Sequence, residues 1–407
     1  MASLIEVAEA RRLLLDAVAS TPAADVPLDA ALGRALAADV AADRDVPATD
    51  RSAMDGFAVR CADLLEAGRR LRVAGELRAG SSAAGVRVAP GEAWRIFTGG
   101  VVPEGADAVV MVELTEEDRG TGTLLVREAP SAGQNIRRRG EDVRAGERIL
   151  RAGCVVGPAE VAALASVGAA RVRVHRAPTV AILSTGDELV EAGETPEPHQ
   201  IRNSNAPMLA ARLRAMAIEP VPLGNAGDSP DALDAKLARG LDHDLLLVTG
   251  GVSVGDYDLV ARRLEAAGAT TLFHGVAMKP GKPILAARSS GGIVVGLPGN
   301  PLSAFTGFEV LVAPALRRMA GATATDGLEV RAILRERLRR RPGRLTYALA
   351  RLVFEGGRAY ADPVKSMSSG DVVSLSRANA FLIVPGAKDA LEAGVEVDAL
   401  LWGEFRR

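Results

Sequence analysis

The sequence is poor in the residues on which several kinds of function depend. Aromatic residues make up only 3% of its 407 positions, so it offers no series of rings on which the bases of a single-stranded nucleic acid stack. Its two cysteines, Cys61 and Cys154, form neither a metal-spaced cluster nor a disulfide framework, which fits a reducing compartment. The four histidines, His175, His199, His243 and His274, are scattered, with no zinc-spaced pair and no nucleophile partner, and they read as structural. Neither sign of charge dominates. With 49 basic residues against 51 acidic ones there is no bulk attraction to nucleic acid or to an anionic membrane, so any polyanion site has to be local. No apolar run approaches the roughly 20 residues of a membrane span. At the N-terminus Ile5, Val7 and Leu13 to Leu15 are broken by Glu6, Glu9, Arg11 and Arg12, an amphipathic helix and not a signal-peptide core. These absences describe a soluble cytoplasmic protein.

What is present is 48% hydrophobic residues, so the cores are built from Ala, Val and Leu. A chain of this length predicts two to four domains, at roughly 100 to 200 residues each. Residues 1–45 read as helical, with Ala and Leu at helical spacing between Leu28 and Val40. From there to residue 140, short β-like runs at 71–74, 86–88, 95–97 and 108–112 are separated by Gly and Pro, the pattern of an inserted β-rich module. Residues 141–177 are mixed, with a helix over 159–166 and a strand over 172–174, and join residues 1–45 in an N-terminal domain. Over 178–327 strands and helices alternate, which predicts a doubly wound α/β domain with a mainly parallel sheet. In it Asn205 is expected as the N-cap of a helix with Pro207 in its first turn. Residues 328–407 return to short alternating segments, a small β-barrel or sandwich. The fold class is therefore α/β plus β: a central doubly wound α/β domain flanked by β-rich modules, with a C-terminal small β-barrel.

The most informative stretch is DLLLVTGGVSVGDYD, Asp244 to Asp258. Leu245 to Thr249 is an unbroken apolar run of strand length, as expected of a parallel strand covered on both faces. Gly250, Gly251 and Gly255 then allow positive φ and close approach to a ligand, and Asp256 and Asp258 place carboxylates at the rim. Loops at the carboxyl ends of parallel strands are where open α/β sheets bind ligands. The plainer alternative is a glycine-rich connection with solvated aspartates.

Lys279 and Lys282 lie in KPGKP, where two prolines stiffen the turn. Two ammonium groups on a pre-organised loop suit a phosphate or another tetrahedral oxyanion, against the alternative of a surface turn. The loop Pro298 to Pro301 precedes a helix, whose amino end attracts anions through its free N–H groups or is simply a helix entry. Carboxylates recur at strand ends and tight turns: Asp55, Asp142, Asp187, Glu188, Asp228, Asp256 and Asp258. Several carboxylates facing phosphate-binding lysines is the arrangement a hard divalent cation such as magnesium requires, although any single one suits a solvated turn. Arg137, Arg138 and Arg139 form either a charged surface loop or a phosphate clamp.

DRSAMDGFAV, RIFTGG followed by PEGADAVVMVE, NIRRRGEDV, ILSTGDEL, QIRNSNAPML, TGGVSVGDYD, KPGKP and GLPGNPLSAF occur in this order. Together they closely resemble the molybdopterin molybdenumtransferase, or MoeA, family, which includes the E domain of gephyrin. The resemblance spans essentially the whole chain. It implies four domains, and a homodimer whose cleft is shared between subunits. It also implies that adenylylated molybdopterin and molybdate give molybdenum cofactor and AMP, with magnesium assisting, and contact with the molybdopterin adenylyltransferase. Carried over residue by residue, Asp55, Thr98, Asp142, Glu188 and Asp258 match catalytic cleft positions, and Glu188, Asp228 and Asp258 the metal positions. Gly250, Gly251, Ser253, Gly255, Lys279, Lys282, Pro298, Asn300 and Ser369 match substrate-binding positions.

The C-terminal part departs from the family pattern. Leu349, in GRLTYALARL, falls where an arginine is common, and Met367, in VKSMSSGD, where a glutamine is frequent. Loss of that arginine predicts weaker molybdate binding unless Arg351, on the same face of a strand, compensates. Two other functions compete: an adenylyltransferase acting on molybdopterin, which is typically a single domain, and a non-catalytic pterin-binding scaffold or paralogue.

Overall fold

The computed structural model describes residues 4–227, 229–252 and 259–403. Its central sheet has the strand Leu245–Thr249 in an interior position, with all five residues buried. The order across the sheet is Pro220–Asn225, Val180–Ser184, Leu245–Thr249, Ile293–Leu297, Leu285–Arg288 and Thr270–His274. The first four strands run parallel, and Leu285–Arg288 alone is reversed, antiparallel to both neighbours. Both faces are covered, which is why the strands read as continuous apolar runs and not as alternating ones. One face packs on Leu209 and Leu213 of the helix Asn205–Ala215 and on the long helix that follows Pro301. The other packs on Leu233 and Leu237 of Pro230–Gly240 and on Val260 and Leu264 of Leu259–Ala266.

After Val180–Ser184 the chain crosses to Pro220–Asn225 on one side, whereas Leu245–Thr249 lies on the other. Such a reversal of strand order leaves a crevice at the carboxyl ends of the two strands.

The C-terminal strands Leu328–Leu334, Leu345–Glu355, Arg358–Pro363, Ala380–Val384 and Glu396–Leu401 close on one another into a five-stranded barrel. A short strand of the α/β domain, Met278–Lys279, pairs in parallel with Leu345 and Thr346 of that barrel. Between residues 56 and 126 a separate six-stranded sheet has its own core around Phe57, Val110 and Leu124.

Two local expectations fail. Residues 28–40 form a short 3-10 turn, Leu28–Ala31, and a strand, Val40–Ala41, with no helix between. Their apolar residues are used in pairing: Ala35 bridges Val155 and Leu36 bridges Val174, next to the strand pair Ala23–Pro27 and Arg171–His175. Likewise, residues 86–88 hold only a single bridge, Arg87 to Glu104. The first helix, Val7–Ala17, does form, but Val7, Ala10 and Leu14 pack into the core of the α/β domain instead of that of residues 23–45.

The long helix is continuous but irregular: Pro301–Gly307 passes through a π-type turn, Phe308–Val312, into Ala313–Met319. Within that turn Glu309 is buried, and its carboxylate accepts hydrogen bonds from Arg212 at 2.5 and 3.0 Å. Burial pushes the Glu309 carboxyl up, while the Arg212 guanidinium opposes the shift. Arg317 also acts on Glu309 through its charge, so losing Arg212 removes both hydrogen bonds but only part of the compensation, at less than the roughly 3–5 kcal/mol of a fully uncompensated buried charge. Arg212→Met should therefore lower the urea midpoint of the α/β domain substantially, and an unchanged midpoint in circular dichroism would contradict the assignment.

Candidate functional site

Two adjoining clefts open at the carboxyl edge of the central sheet, with Pro283, Pro298 and Asn300 in the wall of both. The first, of about 790 Å3, lies at the switch point, among the loops after Val180–Ser184, Leu245–Thr249 and Ile293–Leu297. Gly250 and Gly251 form its floor. Gly250 has φ +89°, and a Cβ there would lie 2.6 Å from the Thr185 carbonyl oxygen, so the backbone comes closer than a side chain permits. Buried hydroxyl and amide groups fix the strand ends. Asn203 Nδ2 donates to Ser184 Oγ at 2.9 Å, and the Thr185 amide donates to the Thr249 carbonyl at 2.9 Å.

Asn205 is not the helix cap that its sequence context suggests. Asn203 Oδ1 accepts from the Ala206 amide, while Asn205 Nδ2 reaches the Gly299 carbonyl at 2.7 Å and ties two of the cleft loops together. Glu188 stands exposed in the wall of this cleft; its carbonyl accepts the Ile201 amide at 2.8 Å, while its carboxylate has no hydrogen-bond or ionic partner among the described residues. No group of three acidic, histidine or cysteine side chains placed to hold a metal occurs among the described residues. A lone carboxylate nevertheless suits magnesium, which retains waters and takes its remaining ligands from substrate phosphates.

The second cleft, of about 610 Å3, lies between the α/β domain and the barrel. Lys279, Lys282, Arg339, Arg340 and Arg344 line it, and no acidic residue does among the described residues. Arg344 Nη1 donates to the Met278 carbonyl at 2.7 Å, which sets its guanidinium beside Lys279. Arg340 spends its terminal nitrogens on the carbonyls of Val384, Arg344 and Gly386, and its buried Nε has no partner. Burial without a counter-ion lowers the Arg340 pKa from its usual value. Such a concentration of cations in a half-enclosed space gives a local positive field that favours anions.

Ser369 belongs to the same cleft, and its carbonyl accepts the Leu302 amide at 3.1 Å. One of the N–H groups at the start of the long helix is therefore used internally and is not free for an anion. Leu349 lines the cleft at 4% exposure and packs with Tyr347 and Phe381. Arg351 is on the same strand, as the compensating alternative requires, but lines neither cleft. Met367, 94% exposed, stands at the rim.

The predicted residues thus divide. Lys279, Lys282 and Ser369 meet in the basic cleft, Glu188, Gly250 and Gly251 in the switch-point cleft, and Pro298 and Asn300 in both. Asp228, Ser253, Gly255, Asp256 and Asp258 lie outside the described residues. Asp55, Thr98 and Asp142 line neither cleft of their own chain. Asp142 instead pairs with Arg137, while Arg138 pairs with Asp50 and Arg139 with Asp45. The arginine run therefore forms an ionic seam on the surface, each guanidinium facing a carboxylate. Asn203, Asn205, Arg340 and Arg344 were missed as site residues, although the first two sit in the RNSN segment and the last in GRLTY, both prominent in the sequence.

A doubly wound α/β domain has its crevice at the switch point, and a basic chamber under a barrel continues it. The MoeA N-terminal region (domain I and II) matches residues 5–168, the "Probable molybdopterin binding domain" residues 181–318, and the MoeA C-terminal region (domain IV) residues 331–402. The molybdopterin molybdenumtransferase of Bacillus subtilis is 39% identical over 92% of this chain and 89% of its own. That of Staphylococcus aureus is 36% identical over 98% and 95%. A solved molybdopterin biosynthesis MoeA protein from Pyrococcus horikoshii superposes with a TM-score of 0.84 at 32% identity, covering 98% of this chain and 100% of that one. The chain belongs to the molybdopterin molybdenumtransferase family.

Asp55 has a defined setting even though it is remote from both clefts. Its Oδ1 accepts the Thr98 amide at 2.7 Å and the Thr98 hydroxyl at 2.8 Å, which hold the carboxyl below its ordinary value. What these bonds contribute to stability is present above the ordinary carboxylate pKa and is lost as pH falls through the lowered one. Thr98→Val removes the hydroxyl and keeps the amide, so the Asp55 pKa read by NMR titration should move part of the way back up; no movement would show that the hydroxyl bond is absent in solution.

Proposed function

We propose that the chain inserts molybdate into adenylylated molybdopterin, releasing AMP and giving molybdenum cofactor. The observation that carries this is the pair of adjoining clefts, one at the switch point over Gly250 and Gly251, the other basic and free of acid among its described residues. In this reading the nucleotide and its phosphates lie over the glycine turn and reach Asn300. The oxyanion lies among Lys279, Lys282 and Arg344. Charge neutralisation at a breaking phosphoanhydride, and cations about the incoming oxyanion, are what these groups supply. Magnesium, when bound, would neutralise phosphate oxygens, with Glu188 as its described protein ligand. A stand-alone adenylyltransferase is not favoured, because regions matching the MoeA N- and C-terminal parts flank the pterin-type domain.

We place Asp55 and Thr98 at the cleft of a second copy, in a homodimer. Exposed Met54 and Val112 flank Asp55, and exposed Met367, Val372 and Val373 lie in the segment that rims the two clefts. Apolar rims of this kind suit mutual cover in a shared interface. Sedimentation should show a dimer at assay concentration, and an active monomer would rule the shared cleft out.

The direct test is AMP release and cofactor formation from adenylylated molybdopterin, magnesium and molybdate. Release that requires all three is expected, and absence of release from well-folded protein would overturn the reading. On the barrel wall, Arg344→Met should raise the molybdate concentration required by about ten- to a hundredfold, the loss of a charge-assisted bond worth about 1.5–3 kcal/mol. Arg351→Ala should leave that concentration unchanged, and the reverse pattern would return the anion to the far end of the strand.

A further inference from the structure

The strand Pro220–Asn225 is irregular towards its carboxyl end. Ile182 pairs with Pro222, but the next residue, Leu183, pairs with Gly224, so Leu223 is bulged out of register. Gly224 follows at φ +74°. Bulges turn backbone groups away from the ladder and cluster beside active sites. Here the carbonyls of Leu223 and Asn225 both meet the ammonium of Lys236, at 2.8 and 2.9 Å, from the middle of the helix Pro230–Gly240. A Cβ on Gly224 would lie 3.3 Å from that nitrogen, so the bend also makes room for the lysine. Lys236 has no carboxylate partner among the described residues, and its ammonium donates to these two carbonyls.

The contact continues into the neighbouring loop. Asn225 Nδ2 donates to the Gly186 carbonyl at 2.8 Å, while its Oδ1 accepts the Gly227 amide at 3.2 Å. The two loops interleave: a Cβ on Gly227 would lie 2.5 Å from the Asp187 carboxylate, and one on Gly186 2.5 Å from that of Glu188. Glu188 thus folds back over the very residue whose carbonyl Asn225 holds. From Lys236 to Asn225 to Gly186 to Glu188 there is an unbroken series of contacts.

We infer that Lys236 is a positioning residue for the reaction: by capping the bulge it fixes Asn225, and through Asn225 it sets where the Glu188 carboxylate stands in the cleft. The inference rests on the reading that Glu188 serves the bound nucleotide. Lysine suits the task because one compact ammonium satisfies two diverging carbonyls. An apolar side chain would deprive both of this donor.

The test combines two measurements, so that this inference and the proposed function fail separately. Hydrogen exchange needs no substrate: in Lys236→Met the amides of residues 186–190 should lose protection about tenfold or more, while the strand Leu245–Thr249 keeps its own. Asn225→Ala should give the same pattern. In the AMP-release assay Lys236→Met should lower kcat by about ten- to a hundredfold, the cost of a misplacement near 1 Å, with the molybdate dependence unchanged. Lys236→Arg should recover part of the loss. In a Glu188→Gln background Lys236→Met should have little further effect, since two residues acting as a unit are not additive. Unchanged protection of residues 186–190, or an effect of Lys236→Met that persists undiminished without the Glu188 carboxylate, would overturn the inference. Loss of protection over the whole domain would overturn it too, by making Lys236 a general stabiliser.

Discussion

Everything in the central domain depends on the burial of Leu245–Thr249 on both faces. A strand with helices above and below it has no solvated side on which to carry polar groups, so its chemistry has to appear at its end. There the backbone leaves the sheet at Gly250, pressed against Thr185 of the neighbouring strand at a distance that excludes a Cβ. The neighbouring strand ends in Ser184, followed by Thr185, and the strand beyond it ends in Asn225, polar residues whose hydrogen bonds hold loops in place. Hydrophobic burial supplies the rigidity, and the polar residues at the rim transmit it to the loops. A site on such an edge needs little ordering when a ligand arrives, which favours affinity and rate alike.

Where apolar periodicity decides structure, the architecture was legible in the residues. The continuous runs at Val180–Ser184, Leu245–Thr249 and Ile293–Leu297 declare doubly covered parallel strands, and the glycines after Thr249 mark a tight approach. Helical spacing misled at residues 28–40, because the helix preference of Ala and Leu is weak per residue and long-range pairing to Val155 and Val174 overrides it. Asn205 is a similar case. It sits where a cap is expected, yet its amide is used by a loop almost a hundred residues further along the chain. Local rules describe local alternatives, and both residues answer to distant partners.

The site was legible in part for the same reason. Lys279 and Lys282 announce themselves by two prolines and a glycine in five residues. Arg340 and Arg344 lie in an arginine-rich stretch that reads as solvated surface, and only the seating of the barrel on the α/β domain turns that stretch into the wall of a chamber. Conversely, the run Arg137 to Arg139 looked available to a phosphate but is matched, residue for residue, by Asp142, Asp50 and Asp45. Charge in a sequence does not reveal whether it is already neutralised. Lys236 was equally invisible, since a lysine in mid-helix is the commonest of surface residues.

The pairing of Met278–Lys279 with Leu345 and Thr346 gives one of the lysines an unusual mechanical allegiance. By chain position Lys279 belongs to the α/β domain, but by hydrogen bonding it is an edge residue of the barrel, and Arg344 fastens the same segment by its Met278 carbonyl. Any tilt of the barrel would carry Lys279 with it, while Gly250 and Asn300 stayed with the sheet. The cationic wall therefore moves as part of the barrel, so its separation from the glycine turn is set by how the barrel sits and not by the flexing of a free loop.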